Sequence, residues 1–302
     1  MLACHLPKEV VMDVDTLPES VRKLSSQIYD ELDGVISVCL GGSLAYSEST
    51  RDSISDVDIF VFWEDLPQHA NELSKKFANF TGMSFPIRVR AYTWEHHISI
   101  EGIDVDIKHM PRWKVREFAH QAPNLDELYL EKIHSILKYV ILSESNDQPV
   151  SSLQSMLREN LEEWTEYLAA YALETYGKAV FSAVKQGLQR QEHACSVGCI
   201  EIAKSTLGVI LFLQIGEWPP PFKWRMSATR SGHIENWSKF SDALKAMRTS
   251  GMSEDLQGQL RQLRRAELAV AGDYTQAPWR EFAEDHWWWS RIGDSSIDYY
   301  NA

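Results

Sequence analysis

Apolar residues recur every three to four positions between Pro18 and Leu32, so that Val21, Leu24, Ile28 and Leu32 share one helical face, and Asp33-Gly34 supplies a stop. The period then changes. Val35 to Leu40 is a short, mostly apolar run closed by Gly41-Gly42, and Val57 to Trp63 is a second run rich in β-branched and aromatic residues, which predicts two buried strands. Turn formers and polar residues fill the space between them. The spacing predicts a helix at about Pro67 to Phe80. Ile87 to Trp94 then alternates Ile87, Val89 and Ala91 against Arg88, Arg90 and Tyr92, and His97 to His109 alternates around a turn at Glu101-Gly102. These segments read as a mixed sheet carrying at least one hairpin.

From about Trp113 the strand pattern gives way to helical periods over Leu125 to Leu142, Val150 to Gln191, Ser196 to Gln214, Trp237 to Met247, Glu254 to Ala271 and Pro278 to Ser290. Strands first and helices afterwards predict an α+β fold: a small mixed-sheet domain over residues 1–148, followed by an all-helical C-terminal domain over 149–302. The linker composition of Ser143 to Pro149 sets that boundary.

The chain has 302 residues, 44% of them apolar, which is enough to bury a substantial core. Its 30 Lys and Arg against 43 Asp and Glu leave a formal charge of −13, the wrong sign for general binding to phosphate backbones. The acidity is uneven. Residues 1–149 hold 14 basic and 24 acidic side chains (net −10), whereas 150–302 hold 16 and 19 (net −3). Four cysteines with no CxxC pair suggest neither a disulfide framework nor a zinc site. The longest apolar stretch, Ile200 to Ile215, is interrupted by Glu201, Lys204 and Gln214, so the expectation is a cytoplasmic protein without a membrane span.

The densest chemistry lies in Gly41-Gly42-Ser43-Leu44-Ala45-Tyr46 and Ser55-Asp56-Val57-Asp58. Asp56 and Asp58, two apart at the start of a strand, project from one face and can hold divalent ions between them. Gly41 and Gly42 allow a close backbone approach to a ligand, and Ser43 can bond a phosphate oxygen. A third acid would complete a two-metal site. Ile103-Asp104-Val105-Asp106-Ile107-Lys108 offers Asp104 and Asp106 on a shared face, with Val105 and Ile107 turned to the core.

Gly-Gly-Ser, then Ser-Asp-x-Asp, then a strand carrying Asp106-Ile107-Lys108 resembles the nucleotidyltransferase superfamily that includes DNA polymerase beta, and the helical second half resembles its antibiotic-modifying branch. Ser47, where that branch usually has Gly, and a longer loop before Ser55 differ from the pattern. The resemblance implies that Gly42, Ser43 and Ser55 bind the nucleotide and that Asp56 and Asp58 hold two Mg2+ ions. It also implies that Asp106, directly before its apolar-basic pair, is the third carboxylate and the candidate base, with Glu162, Glu163 or Glu201 as alternative bases. Lys204, inside an apolar helix, either pairs with Glu201 or reaches triphosphate oxygens, as the small-molecule members' lysine does.

Other features read as structural. Trp218 to Trp224 forms a rigid aromatic connection that packs between helices or lines a pocket, and His96, His97 and His109 read as surface or core residues. Trp287-Trp288-Trp289 and the Cys195/Cys199 pair read as packing groups. The expected function is Mg-dependent transfer of a nucleoside monophosphate, with ATP the expected donor, to a hydroxyl of a small cationic acceptor of aminoglycoside type, with the active site between the two domains. The alternatives are transfer to a protein side chain or RNA, or a nucleotide-binding module without turnover.

Overall fold

The computed structural model describes residues 17–46, 56–81, 87–89, 93–119, 123–214, 217–225, 238, 241–243, 245 and 256–271. The chain divides into two compact units, one formed by residues 6–122 with 132–162, the other by 1–5, 123–131 and 163–302.

In the first unit, α1 (Glu19–Glu31) leads into β1 (Val35–Gly41), the short α2 (Gly42–Tyr46), β2 (Val57–Trp63) and α3 (Ala70–Thr81). β3 (Arg88–Val89), β4 (Trp94–Ile100), β5 (Ile103–Pro111), α4 (Arg112–Ala119), α5 (Glu127–Lys138), β6 (Val140–Glu144) and α6 (Pro149–Val184) follow. Six strands form one mixed sheet in the order β3-β4-β5-β2-β1-β6. β2 and β5 run parallel, and the other neighbours are antiparallel.

One sheet face carries the core. Val38, Leu40, Ile59, Val61, Ile98, Val105 and Ile107 bury against Val21, Leu24 and Ile28 of α1 and Leu73 and Phe77 of α3. Strand alternation sends the other set, Asp58, Phe60 and Phe62 of β2 with Asp106 and Lys108 of β5, to the opposite face. Glu101 and Gly102 close the β4–β5 hairpin with positive φ values of 53° and 80°, the geometry of a two-residue type I′ turn.

Two expectations are corrected here. The helical period over Leu125 to Leu142 stops at Lys138, and Val140–Glu144 becomes an edge strand antiparallel to β1, so strand structure does not end near Trp113. Its Val140-Ile141-Leu142 run suits either state, and the open edge of β1 decides the matter by offering hydrogen-bond partners. Likewise the alternation over Ile87 to Trp94 is not one strand: β3 covers Arg88–Val89, and Trp94 opens β4. Glu144 then caps the start of α6, accepting from the Val150 and Ser151 amides at 2.6 and 3.0 Å.

The second unit is helical. α6 ends in a π-helical turn (Lys185–Gln189) before α7 (His193–Gln214), α8 (Phe222–Arg225) and α9 (Leu256–Ala271). By length and composition α7 is apolar enough to cross a membrane, with a mean hydropathy of 1.7 over a stretch that is 67% buried within the structure. Trp218 packs: it is buried, its indole nitrogen donates to the Leu130 carbonyl at 3.2 Å, and Tyr129 and Trp164 lie beside it, while the side chains of Lys223 and Trp224, the candidates for lining a pocket, lie outside the described ones. Arg225 is fully buried and pairs with Glu127 while donating to the Pro220 carbonyl at 2.8 Å. The predicted helix over Pro278 to Ser290, with its Trp287-Trp288-Trp289 run, lies outside the described residues.

Candidate functional site

The parallel register sets Asp58, second residue of β2, directly beside Asp106, fourth residue of β5. Neighbouring strands lie about 4.8 Å apart, so pairing alone brings these two side chains within reach of one cation. Asp56 stands two residues before Asp58. One ligand oxygen from each of Asp56, Asp58 and Asp106 lies within 4.8 Å of the others. Asp104 sits one pleat nearer the hairpin turn, 63% exposed, and is not part of this group.

Three carboxylates so close repel one another, and the structure shows how the strain is met. Burial raises the Asp58 carboxyl above its ordinary range, and Asp56 and Asp106 add to that push against the pull of Lys108. Lys108, two residues beyond Asp106, donates from Nζ to Asp58 Oδ1, and its ammonium also lies 5.1 Å from the centre of the Phe60 ring. Burial is the largest single influence on the Lys108 ammonium and works to lower it, but the charge and hydrogen bond of Asp58 together with the charges of Asp106 and Glu95 leave the group raised. On the far side of Asp106, His97 Nδ1 donates to Oδ1 at 2.7 Å. That bond raises the imidazole above its ordinary value.

Neither Lys108 nor His97 was assigned to the site from the sequence. His97 had a signal: a two-residue turn at Glu101-Gly102 pairs Ile100 with Ile103, and counting back from there sets His97 opposite Asp106. Lys108 shares a strand face with Asp106, yet its partner is Asp58 on another strand, which only the β2–β5 pairing reveals.

Gly42 closes the site from the β1 side. Its φ is +64°, and a Cβ built there would lie 1.8 Å from Asp58 Oδ2. Only glycine lets the backbone come that near the carboxylate. Ser43 follows, buried at 6% exposure at the start of α2. Ser55 lies outside the described residues. Lys204 belongs to the other unit, on α7, where its ammonium pairs with Glu201 three residues earlier. Glu162 and Glu163 are exposed on α6.

Chemically, the acidic group offers hard oxygen donors alone, the set that suits Mg2+ or Mn2+ rather than zinc or copper. Three carboxylates against the single Lys108 ammonium leave an excess of two negative charges before His97 is counted. The residues present therefore fit a divalent cation.

No protein-family model matches the chain. Nor does any curated protein. Among solved structures the chain is similar to a nucleotidyltransferase-like protein from Exiguobacterium sibiricum 255-15, at 14% identity and a TM-score of 0.40, over 92% of this chain and 87% of that one.

Proposed function

We propose that the protein transfers a nucleoside monophosphate from a metal-bound nucleoside triphosphate, with ATP the expected donor, to a hydroxyl of a small acceptor. The observation that supports this most is the convergence of Asp56, Asp58 and Asp106 beside the Gly42 backbone. A bond forms between the acceptor oxygen and the α-phosphorus, the bond from that phosphorus to the bridging oxygen breaks, and pyrophosphate leaves with the electron pair. Two Mg2+ ions, when bound, supply activation of the attacking oxygen and charge stabilisation of the leaving group.

The remaining work falls to the chain. Asp56, Asp58 and Asp106 would hold the ions, and Asp106 receives the acceptor's proton. His97 fixes the orientation of the Asp106 carboxylate through the 2.7 Å bond. Lys108 pairs with Asp58 and offsets part of the charge of the three carboxylates. The Gly42 and Ser43 backbone, next to Asp58, serves the phosphate oxygens. An acidic protein attracts a cationic acceptor, which favours an aminoglycoside-like compound.

The test incubates the protein with labelled ATP, GTP, CTP or UTP and Mg2+, in the presence of an aminoglycoside panel, tRNA or cell protein. Label on a small cation is the expected result. Label on RNA or protein overturns the acceptor class, and nucleotide binding without transfer in any arm overturns the catalytic reading.

A further inference from the structure

Phe62 lies on the same sheet face as Asp58 but four residues along β2, roughly 13 Å away at 3.3 Å per residue. There it lines a pocket of about 320 Å3 within the sheet-bearing unit. Ile36, Val115, Val150, Leu153 and Met156 complete its apolar walls, and Arg112 and Arg116, one turn apart on α4, line it with Asp147. The size is at the lower end for ligand pockets and suits one or two fused rings.

The arginines differ in what they have left to offer. Arg112 spends both terminal nitrogens, on Glu64 at 2.8 Å and Asp147 at 2.7 Å, and its Nε is sealed from solvent, so it has no donor left to offer the pocket. Arg116 is exposed and makes no hydrogen bond or ion pair among the described residues. One unspent positive charge beside an apolar chamber complements a single carboxylate on a flat hydrophobic body. Phosphate fits poorly, because it leaves the walls unused and brings a second negative charge toward Asp147.

We propose that this pocket binds a small aromatic monocarboxylate, with its ring against Phe62 and Leu153 and its carboxylate on Arg116. The site is separate from the acidic group and does not depend on the reaction proposed for it.

Calorimetric titration with 2-naphthoate tests this, with 2-naphthamide and inorganic phosphate as controls. The carboxylate should bind with a Kd below about 1 mM, the amide about tenfold more weakly, and phosphate not at all. Arg116→Gln should weaken 2-naphthoate about tenfold. Ser152→Trp, at an exposed α6 position bordering the pocket, should block it. Asp58→Asn should leave it unchanged. The proposal is overturned if the parent does not bind 2-naphthoate, if amide and carboxylate bind equally, if Ser152→Trp binds as the parent does, or if Asp58→Asn abolishes binding.

Discussion

Acidification should destabilise the sheet-bearing unit through two histidines on its core face. Trp63 Nε1 donates to His109 Nδ1 at 3.1 Å, so the neutral His109 carries its proton on Nε2 and passes a hydrogen bond to His96 Nδ1 at 2.9 Å. His96 then holds a proton on Nε2, which is buried without a partner among the described residues. Burial lowers His96 from 6.5 to about 4 and pushes His109 well below 6.5, with the neighbouring imidazole adding to the second shift. The folded pKa lies below the unfolded one, so between those values the unfolded chain binds more protons, and stability present above about pH 6.5 is lost as the pH falls toward 4. At about 1.4 kcal/mol per unit, His96 alone accounts for a loss on the order of 2–3 kcal/mol between pH 7 and 4.5. The measurement is urea unfolding followed by circular dichroism at a series of pH values, for the parent and for His96→Phe. The variant should lose about 2–3 kcal/mol less than the parent over that interval, whatever its stability at pH 7. Parallel curves for the two proteins, or a His96 imidazole titrating near its ordinary value in NMR spectra, would refute the reasoning.

Asp58→Asn keeps the shape of the side chain and removes its charge, so the protein should still fold, while Mn2+ affinity measured by paramagnetic resonance falls at least tenfold and nucleotide transfer at least about a hundredfold. Asp106→Asn should abolish transfer, whereas Asp104→Asn, one pleat away and largely exposed, should cost less than about tenfold; the reverse order in single-turnover assays would move the third acid to Asp104. Gly42→Ala forces an L side chain into positive φ and against Asp58 Oδ2, so it should cost about 1–2 kcal/mol in denaturant titration and weaken Mn2+ binding. Retention of parental Mn2+ affinity in Gly42→Ala would show that the backbone can withdraw from the carboxylate.

Much of this protein is written in short-range pattern. The runs Val35 to Leu40 and Val57 to Trp63, bounded by glycine and polar residues, are strands wherever they are placed, and the Glu101-Gly102 pair turns the chain through its own backbone preferences. Asp56-x-Asp58 is likewise local, since Asp56 directly precedes β2 and its carboxylate stays beside that of Asp58. What sequence could not decide is which strands meet. The parallel pairing of β2 with β5 spans more than forty residues of chain, and on it depend the meeting of Asp58 with Asp106 and the ion pair of Lys108 with Asp58. The same holds for Val140–Glu144, which a helical period describes as well as a strand does until β1 presents an edge to be paired. Periodicity reports which face a residue takes, because that depends on its near neighbours. Partnership across strands depends on burying one shared apolar face under α1 and α3, a condition that only the assembled sheet satisfies.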